Sequence, residues 1–524
     1  MTILTEKTTF RLIVASLILG TAYRLWPVVA GTPALAQFFM TEDGYLMLTI
    51  ARNMAIGLGM SVSDGTTASN GVQPLATFLF SVPYLLTNGD KVLGLTGVHL
   101  IAAAISVGGL FAVRALARDL LRGQDDNPLW PWFVAALWFL GPLLLFHTMN
   151  GLETGLYTAM IALTLVLFGE VLAKGPGATF ADRMILGAAC GVTFLARNDG
   201  AFLVTAIFLV WGLHNLIVQR DRFVKVVADL LPPGVLSLII AAPWLINNYV
   251  NFGSIVPVSG TAQALSGGFA KNVDLLPAIL FENTFPMFPI PAVLQSIPAF
   301  QVIALLLVLL IVAVFVIQTW KRGGPARYVT VAFLIFATVL SIYYGLYFGA
   351  GWFLSRYLAP FAPFTIIAAA SVLLTVVGRI TPERHASMFS FFCLAALALC
   401  LGLLGRALVP GVRDQGHFQV VDWVTANVHA ETWVGAVQTG TLGYWHDRTI
   451  NLDGKVNPAA LQAILTEGHV LNYVLESPIE VLADWQGILT WLEIENQGAT
   501  TFSYTFEVLV HDTALNLGVL GRIK

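Results

Sequence analysis

The sequence has 524 residues, of which 57% are hydrophobic and 11% are charged, and its formal net charge is −3. Soluble domains carry about 25% charged residues, so this composition excludes a single water-soluble body and predicts a multi-pass membrane protein. The charge is unevenly distributed. Residues 1–410 hold 22 basic and 17 acidic side chains, whereas residues 411–524 hold 5 and 13. Dispersed basic residues and an acidic tail argue against a nucleic-acid partner.

Eleven apolar segments are long enough to be transmembrane helices, which need about 20 apolar residues. In chain order they cover residues 10–30, 95–118, 129–147, 152–173, 183–197, 200–218, 229–249, 300–319, 327–348, 357–378 and 387–408. We therefore predict an all-α polytopic membrane bundle over residues 1–410. One further apolar stretch, 73–88, is short and is broken by Pro83. Whether this stretch crosses the membrane decides the topology of every later loop.

The distribution of Lys and Arg settles that choice, because cytoplasmic loops collect basic residues. If residues 73–88 lie in the membrane interface, one side receives 15 of the basic residues before position 411 and the other receives seven. If they cross the membrane, this bias is lost. We therefore expect residues 73–88 in the interface, the N-terminus in the cytoplasm and the tail outside the cell membrane.

Two long segments, 31–94 and 250–299, are then expected on the outer face. In the first, apolar and polar side chains alternate with helical spacing. The apolar face holds Met47, Ile50, Ala51, Met54 and Leu58, and the opposite face holds Tyr45, Thr49, Arg52 and Asn53. This pattern predicts an amphipathic helix that lies in the plane of the membrane.

The tail, residues 411–524, has the pattern of a small extracytoplasmic α/β domain. Strands are predicted at 432–437, 448–452 and 505–510, and helices at 418–428 and 457–467. The tail contains no cluster of side chains typical of a catalytic site. We therefore expect it to bind or position another molecule.

Charged residues stand at the outer ends of several predicted spans, where the topology brings them to one face. They are Glu42, Asp43, Arg52, Glu153, Arg197, Asp199 and Arg356. Charges at the membrane are costly and usually functional. An Arg guanidinium suits phosphate because it donates two parallel hydrogen bonds. Together these carboxylates and guanidiniums indicate an anionic lipid ligand and an acid or base.

Each of these residues also has a purely structural interpretation. The three arginines reach lipid headgroups by snorkelling in that interpretation. The carboxylate of Glu153 is favoured at a helix start by the helix dipole. Asp43 and Asp199 cap a turn or a helix. The sequence alone leaves both interpretations open for each residue.

Several motifs resemble those of the GT-C superfamily of integral-membrane glycosyltransferases. The resemblance to the first outer loop of these enzymes lies in two motifs of this chain. They are TEDGYLMLTIARNMAIGLG at 41–59 and NGVQPL at 70–75. Motifs of bacterial members are similar to NGLETGLY at 150–157, FLARNDG at 194–200, PWLINNYVNFGSIVP at 243–257 and RYLAP at 356–360. The outward C-terminal domain of a subset resembles WVGAVQTGTLGYW at 433–445 and INLDGKVNP at 450–458.

The resemblance implies an enzyme that moves a sugar, with inversion, from a polyprenyl-phosphate donor to an envelope glycan, lipid or protein on the outer face. It places the catalytic base at Asp43, with Glu42 beside it. The implied donor and phosphate contacts are Arg52, Arg197, Arg356 and Tyr357. The implied acceptor-side or supporting residues are Asn150, Glu153, Asp199 and Tyr45. Two departures from the family pattern are the Glu-Asp pair in place of two aspartates and ARNDG in place of Arg-Pro-Asp-Gly.

The implied chemistry requires no cofactor, because arginines stabilise a departing phosphate without a metal. A divalent metal is compatible with this chemistry but is not indicated by the sequence, and no DxD nucleotide-sugar motif is present. The expected partners are the lipid-linked donor, the acceptor and membrane lipids. The alternative class is a transporter or lipid flippase, which is expected to show internal repeats and charges near the bilayer midplane.

Overall fold

The computed structural model describes residues 6–125, 127–349, 351–380, 385–409, 416–493 and 502–523. Over these residues it consists of a helical membrane body and a small C-terminal domain built on a β-sheet. The predicted fold class is therefore confirmed. The predicted domain boundary between residues 410 and 411 lies outside the described residues.

The membrane body consists of helices with a few short connections. Its first part contains α1 (Glu6–Ala30), α2 (Thr32–Gln37), α3 (Glu42–Ala55), β1 (Ser61–Val62), β2 (Thr67–Ala68), α4 (Pro74–Leu86), α5 (Lys91–Leu121), α6 (Leu129–Leu140), α7 (Pro142–Met149), α8 (Thr154–Lys174), α9 (Phe180–Ala196) and α10 (Gly200–Leu213). Its second part contains α11 (Phe223–Phe252), α12 (Val258–Ala264), α13 (Leu276–Thr284), α14 (Ala292–Gln295), α15 (Pro298–Arg322), α16 (Pro325–Ile342), α17 (Leu354–Leu358), α18 (Ala362–Ile380) and α19 (His385–Arg406).

Ten of the eleven predicted spans correspond to candidate membrane-crossing segments in the described part of the chain. Nine are single helices or continuous helical segments, and the tenth is the pair α6 and α7, which is bent by 65° at Gly141–Pro142. The remaining predicted span, 183–197, forms α9, which has 17 residues. At 1.5 Å per residue this helix is about 25 Å long, shorter than a hydrocarbon core of about 30 Å. A length of 17 residues is at the lower end of the usual range for a membrane-crossing helix, so the span at α9 stays a prediction.

The stretch at 73–88 forms α4, a helix of 13 residues. Its length is about 20 Å at 1.5 Å per residue, too short to cross a bilayer without distortion. Pro74 occupies the first turn, where its missing N–H has no helical partner. The short helix is compatible with the predicted position of this segment in the interface.

The tail contains α20 (Phe418–Asn427), β3 (Val434–Ala436), α21 (Gly440–Trp445), β4 (Thr449–Asn451), α22 (Pro458–Glu467), α23 (Leu471–Glu476), β5 (Val481–Asp484), α24 (Phe502–Thr505), β6 (Phe506–Asp512) and β7 (Leu517–Arg522). The strand order is β4-β3-β5-β7-β6, in which β4, β3 and β5 are parallel and β7 is antiparallel to β5 and β6. Strands β5 and β7 were missed by the sequence analysis. Both are inner strands and almost wholly buried, so their sequences lack the alternation of a half-exposed strand.

The tail packs directly on α3 and α4. Tyr45 of α3 and Tyr84 of α4 belong to the same buried apolar cluster as Tyr444 and Val456 of the tail. The hydroxyl groups of Tyr84 and Tyr444 are 2.9 Å apart. Helix α3 is therefore buried on both faces, and its in-plane position in the membrane stays a prediction. The polar face is the docking surface of the tail.

Candidate active site

The start of α3 is fixed by Thr41 and Gly44. The Thr41 hydroxyl accepts a hydrogen bond from the Gly44 N–H at 3.2 Å, so Thr41 is the capping residue of this helix. A Cβ atom at Gly44 would lie 2.2 Å from the Asn150 carbonyl oxygen. Only glycine therefore allows the start of α3 to approach the turn before α8 this closely. Asp43 is therefore not the helix cap, and the capping alternative does not account for it.

A cavity of about 400 Å³ lies beside the start of α3. Its walls come from α3, the start of α8, the corner between α9 and α10, the segment before α12, the region of α16 and α17, and the tail. The polar and aromatic residues that line it include Asp43, Gln73, Glu153, Arg197, Asn198, Asp199, Tyr343, Tyr344, Arg356, Tyr357 and Lys455. The cavity thus brings together six of the ten predicted site residues, namely Asp43, Glu153, Arg197, Asp199, Arg356 and Tyr357.

Asp43 lies between two cations. Arg356 Nη1 is 3.0 Å from Asp43 Oδ2, and Lys455 Nζ is 3.8 Å from Asp43 Oδ1. Burial alone would raise the pKa of the Asp43 carboxyl, but the charges of Arg356 and Lys455 outweigh burial and lower it. Asp43 is therefore ionised at neutral pH and is able to accept a proton. Arg356 also donates to the Tyr357 hydroxyl at 3.4 Å.

A second polar group surrounds Arg197, which is 2% exposed. Its Nε atom is 3.3 Å from Asp199 Oδ2 and 3.7 Å from Glu153 Oε1. Its Nη2 atom donates to the Tyr344 hydroxyl at 3.0 Å, and that hydroxyl donates to Asp199 Oδ2 at 2.7 Å. This burial excludes snorkelling for Arg197. Two carboxylates compensate its charge, so it is less available to an anionic ligand than Arg356.

Asp199 and Glu153 both stand immediately before a helix, but neither side chain caps it. Their partners are Arg197 and, for Asp199, Tyr344 as well. Buried atoms of this corner, Asp199 Oδ1, Asn198 Oδ1 and Arg197 Nη1, have no hydrogen-bond partner among the described residues. Unpaired buried polar atoms are costly, and in a cavity wall they are suited to contact hydroxyl groups of a ligand.

Glu42 and Tyr45 were predicted site residues but do not line the cavity. The Glu42 carboxylate accepts hydrogen bonds from the backbone N–H groups of Gly440 and Thr441 and from the Thr441 hydroxyl. Burial raises the pKa of Glu42, although the hydrogen bonds and His417 oppose this effect. Tyr45 donates to the Ala36 carbonyl oxygen at 2.6 Å. Both residues hold structure together next to the site.

Arg52 and Asn150 are also outside the cavity. Arg52 Nη1 lies 3.1 Å from Asp447 Oδ1 of the tail, and its Nε donates to the Gly89 carbonyl oxygen at 2.8 Å. The Asn150 side-chain oxygen accepts from the Leu152 N–H at 3.2 Å and shapes the turn before α8. The predicted phosphate contact of Arg52 is therefore replaced by an ion pair that fixes the tail.

Lys455 is a cavity residue that the sequence analysis did not single out. It belongs to the INLDGKVNP motif of the tail, between β4 and α22. Its Nζ atom is 3.1 Å from Asp453 Oδ2 as well as near Asp43. The loop is held close to the membrane body at Gly71, where a Cβ atom would lie 2.1 Å from the Lys455 carbonyl oxygen. The tail was expected to bind or position another molecule, and only the fold brings this lysine to Asp43.

Metal-ligating side chains do not cluster around this cavity. No group of three or more His, Cys, Asp or Glu residues arranged to hold a metal ion occurs in the part of the chain that the structure describes. The cations that face the cavity are the side chains of Arg197, Arg356 and Lys455.

Sequence comparison assigns only part of the chain. A family model described as a domain of unknown function, DUF8728, matches residues 410–509 and thus the tail. Among curated proteins, no sequence matches this chain.

Solved structures resemble the chain over nearly its whole length. ArnT from Cupriavidus metallidurans, solved bound to undecaprenyl phosphate, is 13% identical with a TM-score of 0.59, and the match covers 99% of each chain. The archaeal oligosaccharyltransferase AglB from Archaeoglobus fulgidus, solved with an inhibitory peptide and a dolichol-phosphate, is 12% identical with a TM-score of 0.59. That match covers 98% of this chain and 74% of AglB.

Another structure of the Archaeoglobus fulgidus oligosaccharyltransferase was solved with zinc and sulfate. It is 13% identical, with a TM-score of 0.56, and the match covers 97% of this chain and 72% of that one. The similarity thus extends from the membrane helices into the tail. This chain shares the fold of ArnT and AglB, the GT-C fold that the resemblance of its motifs predicted.

Proposed function

We propose that this protein is an inverting glycosyltransferase that moves a sugar from a polyprenyl-phosphate donor to a cell-envelope acceptor. The observation that carries the proposal is the position of the Asp43 carboxylate, 3.0 Å from Arg356 in a cavity of a GT-C fold. ArnT and AglB, the similar structures, were solved with undecaprenyl phosphate and with a dolichol-phosphate. The proposed donor belongs to the same chemical class.

The proposed reaction is a direct displacement at the anomeric carbon. The acceptor hydroxyl gives its proton to Asp43 while its oxygen forms the new bond to that carbon. The bond between the anomeric carbon and the donor phosphate oxygen breaks, and the electron pair leaves with the phosphate. A positioned base of this kind contributes about 10²- to 10⁴-fold to the rate. Attack opposite the leaving group inverts the anomeric centre.

Arg356 is the proposed phosphate ligand, with Tyr357 beside it. Without donor, its guanidinium pairs with Asp43 at 3.0 Å. A phosphate that bonds to Arg356 competes with Asp43 for the same donors. Donor binding therefore loosens the Asp43–Arg356 pair and makes the carboxylate available to the acceptor hydroxyl. The cation is then placed where negative charge grows as the phosphate departs.

The corner around Arg197 is proposed to contact the sugar. Its unpaired atoms combine a guanidinium donor with carboxylate and amide acceptors, a set that matches sugar hydroxyls, which donate and accept. Tyr344 and Tyr357 stack with their ring centroids 4.4 Å apart and add an apolar face. We thus assign Arg197, Asp199 and Glu153 to sugar or acceptor contacts rather than to the phosphate.

The proposed location is the cell membrane, with a cytoplasmic N-terminus and a tail outside. The cavity residues come from α3, the start of α8, the corner between α9 and α10, α17 and the tail. The basic-residue count assigns all of these positions to the outer side. A lipid-linked donor and an envelope acceptor meet there, and the reaction needs no nucleotide sugar, cofactor or metal. The tail is proposed to help orient a large acceptor.

The alternative is a transporter or lipid flippase. Such a protein moves its cargo past charges near the middle of the bilayer, whereas these charges converge beside the juxtamembrane helix α3. Both functions require lipid binding, so binding alone does not separate them. Glycosyl transfer needs Asp43 as a base, whereas a flippase forms no glycosidic bond and needs no such base.

Mass spectrometry of envelope glycans and lipid-linked sugars tests the proposal in cells with and without the gene. We expect cells that lack the gene to accumulate one polyprenyl-phosphate sugar and to lose the same sugar from one envelope product. The parent gene restores the product, and Asp43→Asn at equal abundance does not. Full restoration by Asp43→Asn would favour the transport function.

A further inference from the structure

The tail places one cation inside the cavity. Lys455 comes from the loop between β4 and α22, yet its Nζ atom is 3.8 Å from the Asp43 carboxylate on α3. Its side chain is 20% exposed and lies over the Phe353 ring, with Nζ 5.7 Å from the ring centre. A lysine on a surface loop normally keeps its ammonium group in water. This one is directed instead toward the proposed reaction centre.

Several contacts fix the part of the tail that precedes the loop with Lys455. Glu42 binds the backbone of Gly440 and Thr441, and Arg52 pairs with Asp447. Glu42 and Arg52 both extend from α3, the helix that carries Asp43. The tail is therefore docked on α3 itself, and the close approach of the Lys455 backbone to Gly71 holds the loop beside Asp43.

The charges in the cavity divide into two groups. Arg197 faces two carboxylates, Asp199 and Glu153. Arg356 and Lys455 share the single carboxylate of Asp43, and Lys455 also contacts Asp453. The group around Asp43 thus has two cations that converge on one point of the cavity. In the proposed transfer, the donor phosphate gains one negative charge as its bond to the sugar breaks, and fixed cations stabilise that change.

We propose that Lys455 is a donor-binding residue that contacts the phosphate together with Arg356, so that the tail completes the donor site. This inference rests on the proposed function. It gives the domain of unknown function a role in donor binding in addition to any contact with the acceptor. A protein whose tail is displaced from α3 would then lose donor affinity as well as acceptor use.

The experiment measures the affinity of the full-length protein, in nanodiscs, for undecaprenyl phosphate. This lipid carries no sugar, so binding is measured without any transfer. We expect Lys455→Ala to weaken binding about 10- to 100-fold, as for the loss of one charge-assisted contact. Lys455→Arg keeps the charge and is expected to bind within about threefold of the parent.

Arg448→Ala is the matched control, because Arg448 is another basic tail residue at the interface. It lies 3.6 Å from Asp64 of the membrane body and does not line the cavity. We expect this variant to bind within about threefold of the parent. Lys455→Met keeps the length of the side chain and replaces Lys455→Ala if that variant does not fold, as judged by its melting temperature.

The outcomes separate this inference from the proposed function. Weak binding by Lys455→Ala or Lys455→Met, with restoration by Lys455→Arg, supports it. Parent-like binding by the charge-removing variants overturns it, and so does an equal loss in Arg448→Ala, which would reduce the role of Lys455 to docking. If Arg356→Ala is weakened while Lys455→Ala is not, the proposed function stands without this inference. If neither is weakened, the phosphate-linked donor is wrong as well.

Discussion

Glu42 and Asp43 are adjacent acids with different surroundings. Successive residues of an α-helix point about 100° apart, so one carboxylate turns to the tail and the other to the cavity. Glu42 accepts hydrogen bonds from Gly440 and Thr441, whereas Asp43 pairs with Arg356. The same acidic pair therefore supplies a structural anchor and a proposed base.

Arg356 and Arg52 provide a comparison at the level of single residues. Both were predicted to bind the donor phosphate, but only Arg356 lines the cavity. Arg356→Ala is expected to weaken the binding of undecaprenyl phosphate by about 1.5 to 3 kcal/mol, as for one charge-assisted hydrogen bond. Arg52→Ala is the control, because Lys91 still pairs with Asp447 at 3.0 Å and keeps this contact of the tail; we expect it to bind within about threefold of the parent. Titration of both purified variants with the lipid checks this, and an equal loss would contradict the assignment of the phosphate to Arg356 alone.

The sequence was sufficient to predict that several charged residues from distant segments come together. Asp43, Arg197 and Arg356 were found in this way because each follows or precedes an apolar span, and the structure brings them to one cavity. The sequence was not sufficient to show that Arg356 lines the cavity and Arg52 does not. The difference is Asp447, which pairs with Arg52 from 395 positions further along the chain, and such a contact leaves no local pattern.

Helix α3 connects the site to the tail, and Glu42 is its main polar contact. Glu42→Ala leaves the Gly440 and Thr441 N–H groups without their present acceptor. Each unpaired group costs about 1 to 3 kcal/mol. We expect faster hydrogen exchange at these two amides, measured by mass spectrometry of peptides that cover 438–445. Glu431→Ala, which removes an exposed acid of the tail, serves as the control. Unchanged exchange in Glu42→Ala would mean that Glu42 does not secure the tail.

The tail was predicted as an α/β unit because turn residues and short apolar runs alternate in its sequence. Its helices Phe418–Asn427 and Pro458–Glu467 lie within one residue of the expected ranges. The docking surface was not predictable in the same way. The polar face of α3 has the pattern of a solvent-exposed face, and the pattern does not distinguish water from a polar partner domain.

The predicted orientation of the whole molecule rests on a count of 15 basic residues on one side and seven on the other. An impermeant thiol reagent added outside cells is expected to label a cysteine at Thr466 in the tail and not one at Arg222, between α10 and α11. Both positions are exposed, and the native Cys190, Cys393 and Cys400 are buried, so background labelling is low. The reverse labelling would place the cavity on the cytoplasmic side and contradict the proposed donor supply.

The architecture of the whole molecule was largely predictable, since long apolar segments need no knowledge of distant contacts. Exceptions are local. The bend of 65° between α6 and α7 occurs at Gly141–Pro142, where the proline removes a helical N–H. The cavity itself was not predictable, because Lys455 and Asp43 belong to separate parts of the chain that meet only when the tail packs on α3.

The central claim is that Asp43 accepts the proton of the acceptor hydroxyl. Asp43→Asn keeps the size of the side chain, and Thr41 still caps α3. The decisive measurement is sugar transfer by purified protein in nanodiscs, with the donor and acceptor identified by mass spectrometry. We predict that Asp43→Asn folds, binds undecaprenyl phosphate and transfers sugar about 10²- to 10⁴-fold more slowly than the parent. Transfer within about threefold of the parent would contradict the claim.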